Sequence, residues 1–395
     1  MVLRIEGCRR LNHYSTSGEA ITNQIRILKP CISGQKRRRT THRVTVMASL
    51  PYPTALANVS PLALLAGAAA SFLLYKAISF AKAYADLTLL SKKQIPPDAF
   101  HNKIIWIVGA SQGLGETIAH TFAASGARLI LSSRSPEKLQ TVKTTILASH
   151  PTAQIEILPL DLTASGQDMD VAAADAFALF NAQGVDYVIH NAGASQHAAV
   201  ESTAHHVADS LLSLNLQGPI HLARATLPHM LRRRAGRHVV IASMSSIVPS
   251  PGQAVYAAAK SGLRAYFNSL TSELAASGVG ATVVCPGPLA STACQRMVYG
   301  STGLMQQAVQ TGMSKKRVGV EQCAALVAAA AYHNLDECWI AFHPVLLMGY
   351  LMQYVPTLGM AVLKRIGPGR VSQLRDGSGS GYDVRAMLSG AAKVD

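Results

Sequence analysis

The segment "VYAAAKSG", residues 255–262, places a phenol and an amine, Tyr256 and Lys260, four residues apart among small side chains. Four residues make about one helical turn, so on a helix the two side chains share a face with nothing bulky between them. A free tyrosine titrates near ~10, and an ammonium one turn away favours its phenolate, which lets such a pair exchange a proton near neutrality. The same spacing also arises by chance, as a half-buried phenol beside a solvated lysine. The pair becomes a site only if the surrounding elements bring further groups to it.

Those elements are legible as apolar runs alternating with helical periods: "IIWIVG", "RLILSS", "IEILPL", "DYVIH", "HVVIAS" and "ATVVCP". Short strands that are apolar on both sides, separated by amphipathic helices, specify a parallel sheet covered on both faces. The expected fold class is therefore α/β, a Rossmann-type doubly wound parallel sheet forming a single catalytic domain. The first strand, Lys103–Val108, runs into "GASQGLGETIA", where Gly109, Gly113 and Gly115 follow a strand and open a helix. This is the setting of a dinucleotide loop, although the spacing is G-x-x-x-G-x-G and not G-x-G-x-x-G; the alternative is a plain tight turn. Small residues there let backbone N–H groups and the helix N-terminus approach a pyrophosphate. The second strand ends at "SSRS", so Arg134, among Ser132, Ser133 and Ser135, stands where NAD-binding folds place an acid on the ribose. A guanidinium suits a 2′-phosphate, and the expected cofactor is NADP(H).

On these residues the chain resembles the short-chain dehydrogenase/reductase superfamily over roughly residues 100–330. The glycine motif of that family matches Gly109, Ser111, Gln112, Gly113, Leu114 and Gly115, with Val108 in place of its usual threonine. The resemblance implies adenine contacts at Asp161 and Leu162. It further implies a strand end at Asn191, Ala192 and Gly193, with His190 for the family's first asparagine, and a nicotinamide contact at Pro286 and Gly287. It makes Tyr256 the acid/base, Lys260 its modulator and a grip on the nicotinamide ribose, and Ser243, with Ser245 and Ser246 as fallbacks, the group that bonds the substrate carbonyl. Asn215 completes the set. Pro219 follows it by four residues and has no N–H, so on a regular helix the Asn215 carbonyl loses its partner and can hold the water that the family places there. The family also commonly dimerises through the helices bearing Asn215 and Tyr256.

The resemblance reaches past the common core. "ADLTLL", "CPGPLAS" and "CWIAFHPVLLMGYLMQYVPTLGMAVLKRIG" are similar to the membrane-associated dehydrogenase/reductase member seven group. This implies NADPH-dependent reduction of lipophilic carbonyls such as steroids and retinoids. A plastid pigment reductase or a keto-sphingoid reductase would use the same site, and a non-catalytic nucleotide-sensing protein is the alternative from another class.

Composition agrees with membrane contact: 49% of the 395 residues are hydrophobic and 14% charged. Of the net charge of +15, residues 1–46 carry +8, ten Lys/Arg against Glu6 and Glu19, so the basic character is mostly a leader and no nucleic-acid partner is expected. That segment resembles a transit peptide with a processing region around Ala48, which implies a plastid or mitochondrial membrane; a start at Met47 implies the endoplasmic reticulum. Residues 47–98 read as an anchor helix over Pro61–Ala81 and a linker, 99–335 as the nucleotide-binding domain, and 336–395 as a last strand and an apolar helical extension. The last strand is expected near Trp339–Phe342, a second membrane contact over 344–363, and a loop-rich, Met-bearing substrate lid between Leu289 and Lys315. Six scattered cysteines, Cys8, Cys31, Cys285, Cys294, Cys323 and Cys338, form no metal-binding pattern and read as reduced thiols.

Overall fold

The computed structural model describes residues 60–290, 296–307 and 317–375. The leader 1–46, the Met47–Ala48 region, Cys8, Cys31, Cys294, parts of the expected lid and the tail beyond 375 lie outside them. The chain divides into two units, Met1–Ala63 and Leu64–Asp395, and the second carries the sheet and the site.

Seven parallel strands form that sheet: β1 (Ile104–Val108), β2 (Arg128–Ser132), β3 (Ile155–Ile157), β4 (Tyr187–His190), β5 (Gly236–Ile241), β6 (Val279–Pro286) and β7 (Glu337–Ile340). Their order is β3-β2-β1-β4-β5-β6-β7, so the winding reverses between β1 and β4 and opens a crevice at the carboxyl ends there. All of β1 is buried because it serves two cores at once. Ile105 and Ile107 face one, and Ile104, Trp106 and Val108 the other. Strand β7 begins two residues before the expected start and stops at Ile340. Its register sets these limits, since Glu337 to Ile340 pair with Val283 to Pro286 of β6, and Gly287 N–H closes the ladder on the Ile340 carbonyl (2.8 Å).

The helices are α1 (Pro61–Ala81), α2 (Leu87–Ser91), α3 (Gly113–Ala124), α4 (Pro136–Ser149), α5 (Gly166–Ala182), α6 (His205–Leu212), α7 (Gly218–Arg233), α8 (Ala254–Glu273), α9 (Val320–Tyr332), α10 (Val345–Tyr354) and α11 (Pro356–Arg375). Helices α3, α4 and α9 cover one face, where the alanines Ala328–Ala331 of α9 give a smooth, fully buried surface. Helices α5, α7 and α8 cover the other. The segment before the domain seals the open edge of β7: Asp86 N–H donates to the Trp339 carbonyl (2.9 Å) and Asp86 Oδ2 accepts from Trp339 N–H (2.8 Å). An edge paired in this way cannot recruit another strand.

Helix α1 has no buried residue, and its 21 residues extend for ~30 Å, about the thickness of a bilayer core. Its last turn is fastened to the extension after β7. Phe80 makes edge contacts with His343 and Tyr350 (ring centroids 4.7 and 5.3 Å apart), and its carbonyl accepts from His343 Nε2 (2.7 Å).

The expected loop-rich lid contains a hairpin. Arg296–Tyr299 and Leu304–Gln307 pair antiparallel, and Ser195–Gln196 joins them as a third, parallel strand. Residues 291–295 and 308–316 of that stretch are outside the described residues.

Candidate active site

Tyr256 lies in the first turn of α8, half-buried, with Lys260 one turn further on. Lys260 is only 4% exposed and its Nζ, 6.0 Å from the centre of the Tyr256 ring, donates to the Ile241 carbonyl (2.9 Å). A cation held by one neutral acceptor in a dry site is poorly solvated, and burial pushes its pKa down to about 8. The approach to Lys260 runs past Gly193. A Cβ at Gly193 would come within 2.6 Å of Asn215 Oδ1 and 3.4 Å of Lys260 Nζ, so the absence of a side chain keeps this corner open.

Asn215 is fully buried, and its side-chain amide pairs with Ala194 in both directions: Nδ2 donates to the Ala194 carbonyl (3.0 Å) and Oδ1 accepts from Ala194 N–H (3.2 Å). The regular helix expected around it is replaced by a π turn, Ser213–Gln217, in which Gly218 N–H reaches back five residues to the Ser213 carbonyl. A wider turn is the local answer to Pro219, which cannot supply the usual donor.

Of the three serines in "SMSS", geometry separates one. The Ser245 hydroxyl donates to Gln253 Oε1 (3.1 Å) and the Ser246 hydroxyl to the Ser243 carbonyl (2.6 Å), and both residues are 8% exposed. Ser243 is half-buried and its Oγ accepts from Ser245 N–H (3.1 Å), which leaves its own proton to give.

On the nucleotide side, Gly109 has φ +90° and a Cβ there would lie 2.6 Å from the Ala192 backbone, while a Cβ at Gly115 would lie 2.0 Å from the Gly109 carbonyl. Asn191 braces this turn, its Nδ2 donating to the Gly109 carbonyl (2.9 Å), which is a support role and not only a contact. Gln112 precedes α3 without a side-chain capping bond, so the first-turn N–H groups at Gly113, Leu114 and Gly115 keep their positive potential for an anion, with Ser111 alongside. This cradle of backbone and glycine fits a pyrophosphate. Arg134 is exposed just past β2. Asp161 is exposed after β3, its Oδ1 accepting from Thr163 N–H and Oγ1 (2.9 and 2.8 Å), and the Leu162 carbonyl is within 2.2 Å of where a Gly218 Cβ would stand. Pro286 ends β6 and Gly287 N–H bonds the Ile340 carbonyl (2.8 Å).

Sequence reasoning missed three polar residues. Fully buried Gln196 accepts from Val255 and Tyr256 N–H through Oε1 (3.0 and 3.2 Å), and Gln253 Nε2 donates to Ser195 Oγ (2.8 Å). Neither spacing nor composition marks these residues, because their partners lie about sixty residues away. His190, noted only as a replacement, is buried against His238 (Nε2 to Nδ1, 3.0 Å). Burial drives the pKa of His190 well below normal and that of His238 to about 3.

The family model described as short chain dehydrogenase matches residues 103–300. The chain is 31% identical to the human protein "Dehydrogenase/reductase SDR family member 7" over 77% of its own length and 90% of that protein's. With the bovine "Dehydrogenase/reductase SDR family member 7B" it shares 33% identity over 57% of this chain and 70% of that one. Among solved structures, a short-chain dehydrogenase from Streptomyces avermitilis is similar at a TM-score of 0.56 and 25% identity, covering 70% of this chain and 98% of that chain.

Proposed function

The chain belongs to the short-chain dehydrogenase family of oxidoreductases, and from that premise we propose that it is a membrane-held, NADP(H)-dependent reductase of lipophilic ketones or aldehydes, of the steroid, retinoid or related lipid class. The observation that carries this reading is the convergence of Tyr256, buried Lys260, Asn215 and open Gly193 at the carboxyl end of the sheet. When bound, the nicotinamide cofactor supplies or accepts the hydride. The glycine cradle with Ser111 and Gln112 receives its pyrophosphate, and the exposed Arg134 guanidinium is placed to pair with a 2′-phosphate. Ser243 donates its hydroxyl proton toward the substrate oxygen, which favours negative charge developing there. Tyr256 gives its phenolic proton to that oxygen in reduction and takes one in alcohol oxidation, and the Lys260 cation lowers the energy of the phenolate left behind.

Two apolar surfaces that have no protein cover among the described residues support membrane attachment. Residues 61–78 of α1 are exposed, and the corner between α10 and α11 shows Tyr354 at 75%, Val355 at 49% and Leu358 at 52% exposure. Phe80 fastens the end of α1 to Tyr350 of α10, the helix that leads into that corner. A bilayer there both holds the enzyme and supplies an apolar substrate.

The test is cofactor oxidation by the purified full chain in detergent with retinal, a steroid ketone, a keto-sphingoid base and a small water-soluble aldehyde, with NADPH and NADH in parallel. Turnover selective for NADPH and apolar carbonyls, abolished in Tyr256→Phe while NADPH still binds, is the expected result. NADPH binding without turnover on any of the four overturns the reductase of steroid, retinoid or sphingoid carbonyls. An active Tyr256→Phe overturns the assignment of the acid.

A further inference from the structure

Helix α8 begins without a cap of its own, because the side chain of its flanking residue Gln253 makes no capping bond. The acceptor for its first N–H groups comes instead from Gln196, whose Oε1 takes those of Val255 and Tyr256 (3.0 and 3.2 Å). The other end of the Gln196 amide is committed as well. Its Nε2 donates to Thr203 Oγ1 (3.0 Å), which donates to the Ala199 carbonyl (2.8 Å), so the amide cannot flip without losing bonds in a fully buried place. The preceding residue reaches the opposite side of the site. Ser195 Oγ accepts from Gln253 Nε2 (2.8 Å), Gln253 Oε1 accepts from Ser245 (3.1 Å), and Ser245 N–H holds Ser243 Oγ (3.1 Å). One two-residue strand is thus tied to both groups that flank the substrate oxygen.

That strand is also the inner edge of the hairpin. Ser195 and Gln196 pair with Val298 and Tyr299, His197 N–H donates to the Tyr299 carbonyl (2.8 Å), and Ala204 N–H donates to the Ser301 carbonyl (2.8 Å). We propose that Gln196 is a positioning residue that sets Tyr256 in register with Ser243 and transmits the seating of the 296–307 hairpin to that register. The proposal rests on Tyr256 as the acid. Its physical content is that the phenol stands on the first turn of a helix, where the backbone frays unless its N–H groups are met. Removing the acceptor lets that turn shift while the nucleotide cradle, which hangs on β1 and Asn191, stays as it is.

The test compares Gln196→Met, which keeps length but has no acceptor oxygen, with Gln196→Glu, which keeps the acceptor, in the full chain. Three readouts apply: kcat, NADPH affinity, and ultraviolet difference titration of the Tyr256 phenol against a Tyr256→Phe blank. The expected result for Gln196→Met is a kcat lower by about a hundredfold, the loss typical of a reacting group misplaced by an ångström. NADPH affinity should stay unchanged, the phenol should titrate at higher pH, and Gln196→Glu should restore most of both properties. Wild-type kcat and phenol titration in Gln196→Met overturn the proposal. So does a loss of kcat that runs parallel with lost NADPH binding and lost folded protein, since that is a merely structural role. If Gln196→Met does not fold, Thr203→Val decides: it frees the amide without touching Oε1, and must lower kcat and raise the phenol titration in the same sense. The phenol titration needs no substrate, so it still reads the proposal if the wild type reduces none of the carbonyls tried.

Discussion

Lys260 carries the sharpest consequence at the scale of single residues. Its folded pKa of about 8 lies below the ordinary 10.5, so between those values the unfolded chain binds more protons and this group's contribution to stability rises with pH through that window. Activity runs the other way. The cation that favours the Tyr256 phenolate is lost as pH climbs past about 8, and the kcat/KM profile, which reports the free enzyme, should fall above that point. A flat profile to pH 10 would show that Lys260 keeps its proton and that the single carbonyl of Ile241 solvates it better than its burial implies. Arg134 makes a second prediction. If Arg134 pairs with the 2′-phosphate as proposed, replacing it with Asp removes a charge-assisted bond worth about 1.5–3 kcal/mol, so NADPH affinity should drop roughly tenfold to a hundredfold while NADH affinity holds or improves, measured by cofactor titration.

At the scale of elements, the glycine turn and the β4–β5 contact each make a claim. Gly115→Ala would press a methyl group against the Gly109 carbonyl and Asn191 Nδ2, at 2.0 and 2.5 Å, both fixed by the bond between them. The expected outcome is about 1–3 kcal/mol of lost stability together with weakened NADPH binding, read by denaturant midpoint and cofactor titration. Between β4 and β5, His190 and His238 share one hydrogen bond, and their outer nitrogens, Nδ1 and Nε2, have no partner among the described residues. Both must stay neutral. With a folded pKa of about 3 against 6.5 unfolded, His238 contributes fully above pH 6.5, and that contribution is lost as pH falls toward 3. The drop from this residue should be about 2 kcal/mol between pH 6.5 and 5, checked by urea unfolding at the two values.

At the scale of the whole molecule, the apolar surfaces are arranged around one fastening point, Phe80 against His343 and Tyr350. A chain shortened to begin at Ala77 keeps that contact, and since α1 buries none of its residues the sheet should lose little stability. Such a chain should leave the detergent fraction yet still sediment with lipid vesicles through the α10–α11 corner, and Val355→Glu with Leu358→Glu should abolish the residual sedimentation. Unchanged sedimentation of the double variant would place the vesicle contact elsewhere.

The amino-acid order alone was enough for whatever depends on local pattern. The two-sided apolar strands prescribe the parallel sheet, "GASQGLG" prescribes the turn at the end of β1, and Tyr256 and Lys260 fall on one helical face because helices repeat every 3.6 residues. Tertiary structure alone decided what depends on residues far apart in the chain meeting. It tied Gln253 to Ser195 and capped α8 with Gln196 from about sixty residues away. It gave the hairpin within the expected lid Ser195 and Gln196 as a third strand. It set the bounds of β7 by pairing Glu337 to Ile340 with Val283 to Pro286. A hydrogen bond is satisfied by whichever group the fold brings within reach, and sequence spacing records that choice only when both partners belong to the same element.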